Sequence, residues 1–318
     1  MTPSLLEPPL IARLRQHPRI LIAGAGGGFD VYAGLPLYVA LRAAGHEVFL
    51  ANLTFTSLAE TDCQYLAPHL AVARPETMGG ARYFPERRLA EWLREAGYPA
   101  AVYAFEKVGV RPLRDAYAHL LRELGVGAVV LVDGGTDILM RGDEAGLGTP
   151  EEDMTSLAAV SKLSGVEAFV ASVGFGIDTY HGVCHAHVLE NIAALARDGG
   201  YLGAFSVTAA MPEGRAYASA VSHAQQVTMG RSSIVNGSIA AAIEGQFGDV
   251  RFTSRTADSE LFINPLMAIY FGFELPALAR RALYLEQLEG SETIVQVSAR
   301  IEVFRNSITC RPRRQIPH

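Results

Sequence analysis

Short apolar runs recur along this chain, separated by stretches in which apolar positions fall at helical spacing, a pattern that predicts a mainly parallel sheet covered by helices on both faces. Arg19 to Ala23 reads as the first strand, and Val31 to Ala44 as the helix after its glycine-rich turn. Glu47 to Asn52 reads as the second strand. Residues 58–100 are less regular, although Pro85 to Ala96 has helical spacing and holds the single tryptophan, Trp92. Ala101 to Phe105 and Ala128 to Val132 read as further strands, with an amphipathic helix between them from Pro112 to Leu124. A helix over Glu151 to Leu163, a strand over Ala168 to Val173 and a helix over Val183 to Arg197 continue the alternation. Tyr201 to Val207 reads as the last clear parallel strand, followed by helices over Gly214 to Val227 and Ser232 to Glu244. Beyond about residue 250 the alternation weakens, and Ile294 to Val303 fits either a strand or a helix. No repeat or linker marks a boundary, so we expect a single α/β domain over 1–318, with a core at 1–250 and a C-terminal extension at 251–318.

Composition narrows the class. The chain has 318 residues, 49% hydrophobic and 19% charged, enough to bury a large core. Its formal net charge of -6 provides no general field to attract nucleic acid or anionic lipid. The basic tail, Arg311, Arg313 and Arg314, reads as a solvated terminus. The apolar runs are far shorter than the roughly 20 residues that span a bilayer. Cys63, Cys184 and Cys310 are odd in number and unclustered, which argues for a reducing compartment and against a disulfide framework. We therefore expect a cytoplasmic protein with no nucleic-acid or membrane partner, and these features leave a homo-oligomer open.

In open α/β sheets ligands bind beyond the carboxyl ends of the strands, where helix N-termini and loop amides converge. The first strand ends in Gly24-Ala25-Gly26-Gly27-Gly28-Phe29-Asp30, where four glycines in five residues allow a tight turn and close approach of N–H groups to an anion. A strand-to-helix turn that binds nothing has the same outline. A dinucleotide-binding turn has glycine or alanine where Phe29 stands and an acidic residue ending the second strand, where this chain has Asn52. Both departures weigh against a nicotinamide-dependent oxidoreductase. No lysine follows the turn, so the phosphate-loop pattern is also missing.

Val132-Asp133-Gly134-Gly135-Thr136-Asp137 ends another buried run and sets two carboxylates four residues apart on a glycine-loosened turn. Carboxylates there can bind ribose hydroxyls, hold a divalent cation or act as acid and base, while their plain structural role is turn formation. Gly148-Thr149-Pro150-Glu151-Glu152-Asp153 then opens a helix, with Thr149 expected as N-cap and Asp153 as a supporting residue of the site. A third strand end presents Asp178 and His181, with His185 and His187 just beyond. His181 and His185 share a helical face near Cys184, yet a zinc site lacks a second ligand cluster of the right spacing. His181 is the best-placed acid or base at this edge, with His185 in support.

Together the Ile20–Gly28 opening, the Asp133–Asp137 turn and the Gly148–Met154 helix start resemble the bacterial and archaeal family known as domain of unknown function eleven fifty-two, over residues 19 to about 280. The resemblance implies a Rossmann-like three-layer fold and no particular activity. From the residues we expect a hydrolase that cleaves the N-glycosidic bond of a ribosylated, 5′-phosphorylated, nucleoside-like small molecule. Asp133, Asp137, Asp178 and His181 are the expected catalytic residues. Gly24, Gly26, Gly27, Gly28, Asp30, Asn52, Gly134, Gly135 and Thr136 are the expected ligand-binding residues, chiefly for the phosphate. No cofactor is expected, with a divalent cation between Asp133 and Asp137 as the option. A nucleotide-dependent transferase or oxidoreductase, and a non-catalytic nucleotide sensor, are the alternatives.

Overall fold

The computed structural model describes residues 5–80, 83–228, 230–251 and 262–316. Strands follow in chain order as β1 (Arg19–Gly24), β2 (Glu47–Leu53), β3 (Gln64–Ala67), β4 (Leu70–Ala73), β5 (Val102–Phe105), β6 (Ala128–Asp133), β7 (Glu167–Ser172), β8 (Tyr201–Ser206), β9 (Gly248–Asp249), β10 (Phe262–Ile263) and β11 (Ile269–Glu274). Nine of them form one sheet in the order β3-β4-β5-β2-β1-β6-β7-β11-β8, and β9 and β10 pair separately. The central five, β5-β2-β1-β6-β7, are parallel.

The helices are α1 (Pro9–Leu14), α2 (Asp30–Ala33), α3 (Leu35–Ala43), α4 (Pro85–Glu95), α5 (Val110–Leu124), α6 (Pro150–Ser161), α7 (His185–Arg197), α8 (Pro212–Val227), α9 (Ile234–Ile243), α10 (Leu275–Arg281), α11 (Leu285–Leu288) and α12 (Ile294–Ser307). Side chains alternate across the sheet, so the two faces hold separate cores. Ile20, Ile22, Val130 and Val132 pack under α3, α4, α8 and α9, while Leu21, Ala23, Val129 and Leu131 pack under α5, α6, α7 and α12. Helices on both faces of a mostly parallel sheet make this the expected Rossmann-like three-layer sandwich. Among the described residues no helix is long and apolar enough to cross a membrane.

Two details depart from the hydrophobic pattern, and a third resolves a segment that it left open. The expected single helix over 31–44 breaks at Gly34, where a Cβ would come within 2.4 Å of Ile22 Cγ2, and Pro36 restarts it as α3. Tyr201–Ser206 does not pair in parallel: β11 enters between β7 and β8, antiparallel to both. Its residues, 269–274, lie in the region where alternation faded, because a strand bonded on both sides by distant segments needs no local turn signal. Ile294–Ser307 is a helix, capped by Thr293, whose side chain accepts the Gln296 N–H.

β1 lies between β2 and β6, and the chain winds outward in opposite directions from this pair. That is the topological switch point, where the loops after adjacent strands part and leave a crevice. The Gly24–Gly28 turn and the Asp133–Asp137 turn therefore face each other across it.

Candidate active site

Asp30 opens α2 and folds back over the glycine turn. Its Oδ2 accepts the Gly26 N–H at 2.7 Å, and it also accepts the Gly134 N–H. The anion cradle of the first turn is thus filled by the chain's own carboxylate. Asp133 ends β6 at 3% exposure, and Asp153 enters from the first turn of α6 at 2%. Each of Asp30, Asp133 and Asp153 offers an oxygen within 4.8 Å of the other two. Ser156, one turn along α6, donates to the Ala25 carbonyl at 2.7 Å and ties this helix to the glycine turn.

The electrostatics follow from burial. Burial, offset in part by the Gly26 amide, pushes Asp30 up to about 7. Asp133 is raised well above the carboxylate range by burial first, then by repulsion from Asp153, Asp137, Asp30 and Asp178. Asp153 rises for the same reasons. Asp133 Oδ2 and Asp153 Oδ1 are both buried and lack a hydrogen-bond partner. Two polar atoms left so are costly, on the order of 1–3 kcal/mol each.

Other expected residues are spent on holding the turns. Asp137 does not meet Asp133 as a partner: its Oδ2 accepts the Thr149 N–H at 2.8 Å and the Thr149 hydroxyl at 3.2 Å. This reverses the expected cap, since Thr149 donates to Asp137 instead of accepting from the helix. Asp178 accepts the Thr136 N–H at 2.7 Å, and its carboxylate lies against Gly135, where a Cβ would approach Oδ2 to 2.7 Å. Asn52 is fully buried and faces inward, donating at 2.7 Å both to the Gly28 carbonyl and to Glu86. Gly24 has space only for hydrogen, because a Cβ would come within 2.2 Å of Asn52 Oδ1.

A cleft of about 700 Å³ reaches the carboxylate group at Asp30 and is lined by Gly27, Gly28, Asp30, Phe55, Tyr83, His181 and the segment 230–235. His181 and Arg231 are both exposed on its walls, and Arg231 lies in the segment that leads into α9. His185 belongs elsewhere, in a second cavity with Gly176, Tyr180 and Asn264, where its Nε2 lies 3.0 Å from the Thr179 hydroxyl. His187 is fully buried, and the Cys184 thiol donates to the Arg314 carbonyl.

Residues 21–308, which carry all of these carboxylates and turns, match the family described as protein of unknown function (DUF1152). The chain belongs to DUF1152. Membership agrees with the resemblance read from the three glycine- and aspartate-bearing turns, and the match extends past them to take in β11 and all of α12. No curated protein matches this DUF1152 chain. Several cleft residues carried no motif: Phe55, Tyr83, and Arg231 with Ser233 come from three separate segments. Glu86 is a different case. It shares a helical face with Leu89, Ala90 and Leu93, all buried, so its spacing alone marked it as inward-facing.

Proposed function

We propose that this protein hydrolyses the N-glycosidic bond of a ribosylated, 5′-phosphorylated small molecule. One observation carries the reading: at the switch-point crevice, acceptor oxygens of Asp30, Asp133 and Asp153 gather together, and Asp30 among them lines a cleft large enough for a nucleotide. Ribose presents vicinal hydroxyl donors, and buried carboxylates with unused lone pairs are their natural acceptors. The same oxygens orient water and stabilise positive charge that builds on the anomeric carbon as the C–N bond breaks. Water adds its hydroxyl to that carbon, and its proton compensates the leaving nitrogen. His181, on the cleft wall, is positioned to deliver a proton to the departing base.

Phe55 and Tyr83, beside Gly27 and Gly28, offer aromatic rings against which the base can pack. Because the Gly26 amide already serves Asp30, the phosphate falls to the outer wall, where Arg231 joins the opening of α9. The three cysteines are free, in keeping with a cytoplasmic setting. The test is incubation with ribonucleosides and 5′-ribonucleotides, with and without added divalent cation, reading free base by chromatography. Base release favouring the phosphorylated substrates, lost by about 10²-fold in Asp133→Asn, supports the reading. Binding without release across the set overturns it.

A further inference from the structure

We infer that Asp30, Asp133 and Asp153 hold one hard divalent cation at the carboxyl edge of β1 and β6. Three observations converge on this. The first is geometric: one oxygen from each carboxylate lies within 4.8 Å of the others, a spread suited to oxygen ligands around magnesium, manganese or calcium. The second is the state of the ligand atoms. Asp133 Oδ2 and Asp153 Oδ1 are buried with no donor in reach, in side chains only 3% and 2% exposed. Asp137 and Asp178, by contrast, are supplied with donors from Thr149 and Thr136. The fold thus supplies donors to the outer carboxylates and, through the Gly26 amide, to Asp30, and leaves unpartnered oxygens on Asp133 and Asp153.

The third observation is the glycine turn itself. A Cβ on Gly26 would stand 2.7 Å from Asp30 Oδ2 and 2.9 Å from Asp153 Oδ1, so those oxygens both face the space beside Gly26. A side chain there would fill the gap between them. No compensating cation comes from the chain: among the described residues, lysines and arginines make no ion pair with Asp30, Asp133 or Asp153, and Lys107 is engaged by Glu152. The donor set is all oxygen, which disfavours zinc and copper relative to the hard cations.

This differs from the pairing of Asp133 with Asp137 that the spacing suggested. Asp153, twenty residues from Asp133 in sequence, takes the place given to Asp137. Use of the ion in hydrolysis rests on the function proposed above, where it would bind the ribose diol and lower the pKa of a bound water. Binding of the ion does not, and it is measured without substrate.

The experiment is calorimetric titration of metal-stripped full-length protein with manganese, magnesium and calcium chlorides, alongside Asp133→Asn, Asp153→Asn and Asp137→Asn. Manganese binding is read independently from its electron paramagnetic resonance signal. We expect one ion per chain, affinity reduced at least tenfold in Asp133→Asn and Asp153→Asn, and affinity within about threefold of wild type in Asp137→Asn. Circular dichroism establishes that each variant folds, and asparagine retains the side-chain shape. Absence of binding at millimolar concentrations of all three ions overturns the site. So does binding that the Asp133 and Asp153 substitutions leave unchanged. Stoichiometric binding together with no base release would retain the site and reject the hydrolase.

Discussion

Glu86→Gln tests how the site's scaffold is held. Glu86 is fully buried beneath the glycine turn, where it accepts from Asn52 Nδ2, and Asn52 in turn holds the Gly28 carbonyl. Burial pushes its carboxyl from 4.5 up to about 7, with the Asn52 hydrogen bond opposing the rise. A gap of roughly 2.5 pH units at about 1.4 kcal/mol each corresponds to about 3 kcal/mol. The sign follows from the proton count. Between pH 4.5 and 7 the folded state holds a proton that the unfolded state releases, so stability falls as pH rises through this window and levels off above it. Below pH 4.5 both states are protonated and the cost vanishes.

Glutamine is neutral throughout and keeps the carbonyl that accepts from Asn52. We therefore expect the variant to match wild type near pH 4 and to exceed it by up to about 3 kcal/mol at pH 8. In a chain of this size that is a Tm gain of roughly 5 °C. Scanning calorimetry of both proteins across pH 5 to 8 measures the difference, and the subtraction removes titrations they share. A Tm difference that is constant with pH, or a wild type that gains on the variant as pH rises, refutes the reasoning.

Asp137→Asn should lower stability by about 1–2 kcal/mol through weakened bonds to Thr149, while base release stays within about threefold of wild type. A loss of about 10²-fold at unchanged Tm would return Asp137 to the catalytic set. Gly26→Ala should abolish manganese binding, since its Cβ would enter the space between Asp30 and Asp153; retained affinity by titration would show that the turn can yield. Arg231→Ala should raise KM for 5′-phosphorylated substrates about tenfold or more and leave unphosphorylated ones nearly unchanged, which steady-state kinetics on matched pairs will measure. Equal effects on both would remove Arg231 from phosphate recognition.

The sequence by itself determined the layers of this protein. Runs such as Ile20–Ala23 and Ala128–Val132 are apolar on both sides, and only a sheet covered twice can bury them. It also determined which turns meet, because strands of a parallel sheet share one carboxyl edge and the glycine- and aspartate-rich segments follow β1 and β6. The tertiary structure decided which carboxylates lie together. Asp133 and Asp137 are close in sequence, yet the chain turns between them, and Thr149 at the start of α6 claims Asp137. Asp30 and Asp153 reach Asp133 only because α2 and α6 dock on either side of the glycine turn. Local spacing records neither docking. A strand end tells where a side chain starts, but the direction of a carboxylate is set by the donors around it, and those donors come from other turns: Gly26 for Asp30, Thr149 for Asp137 and Thr136 for Asp178.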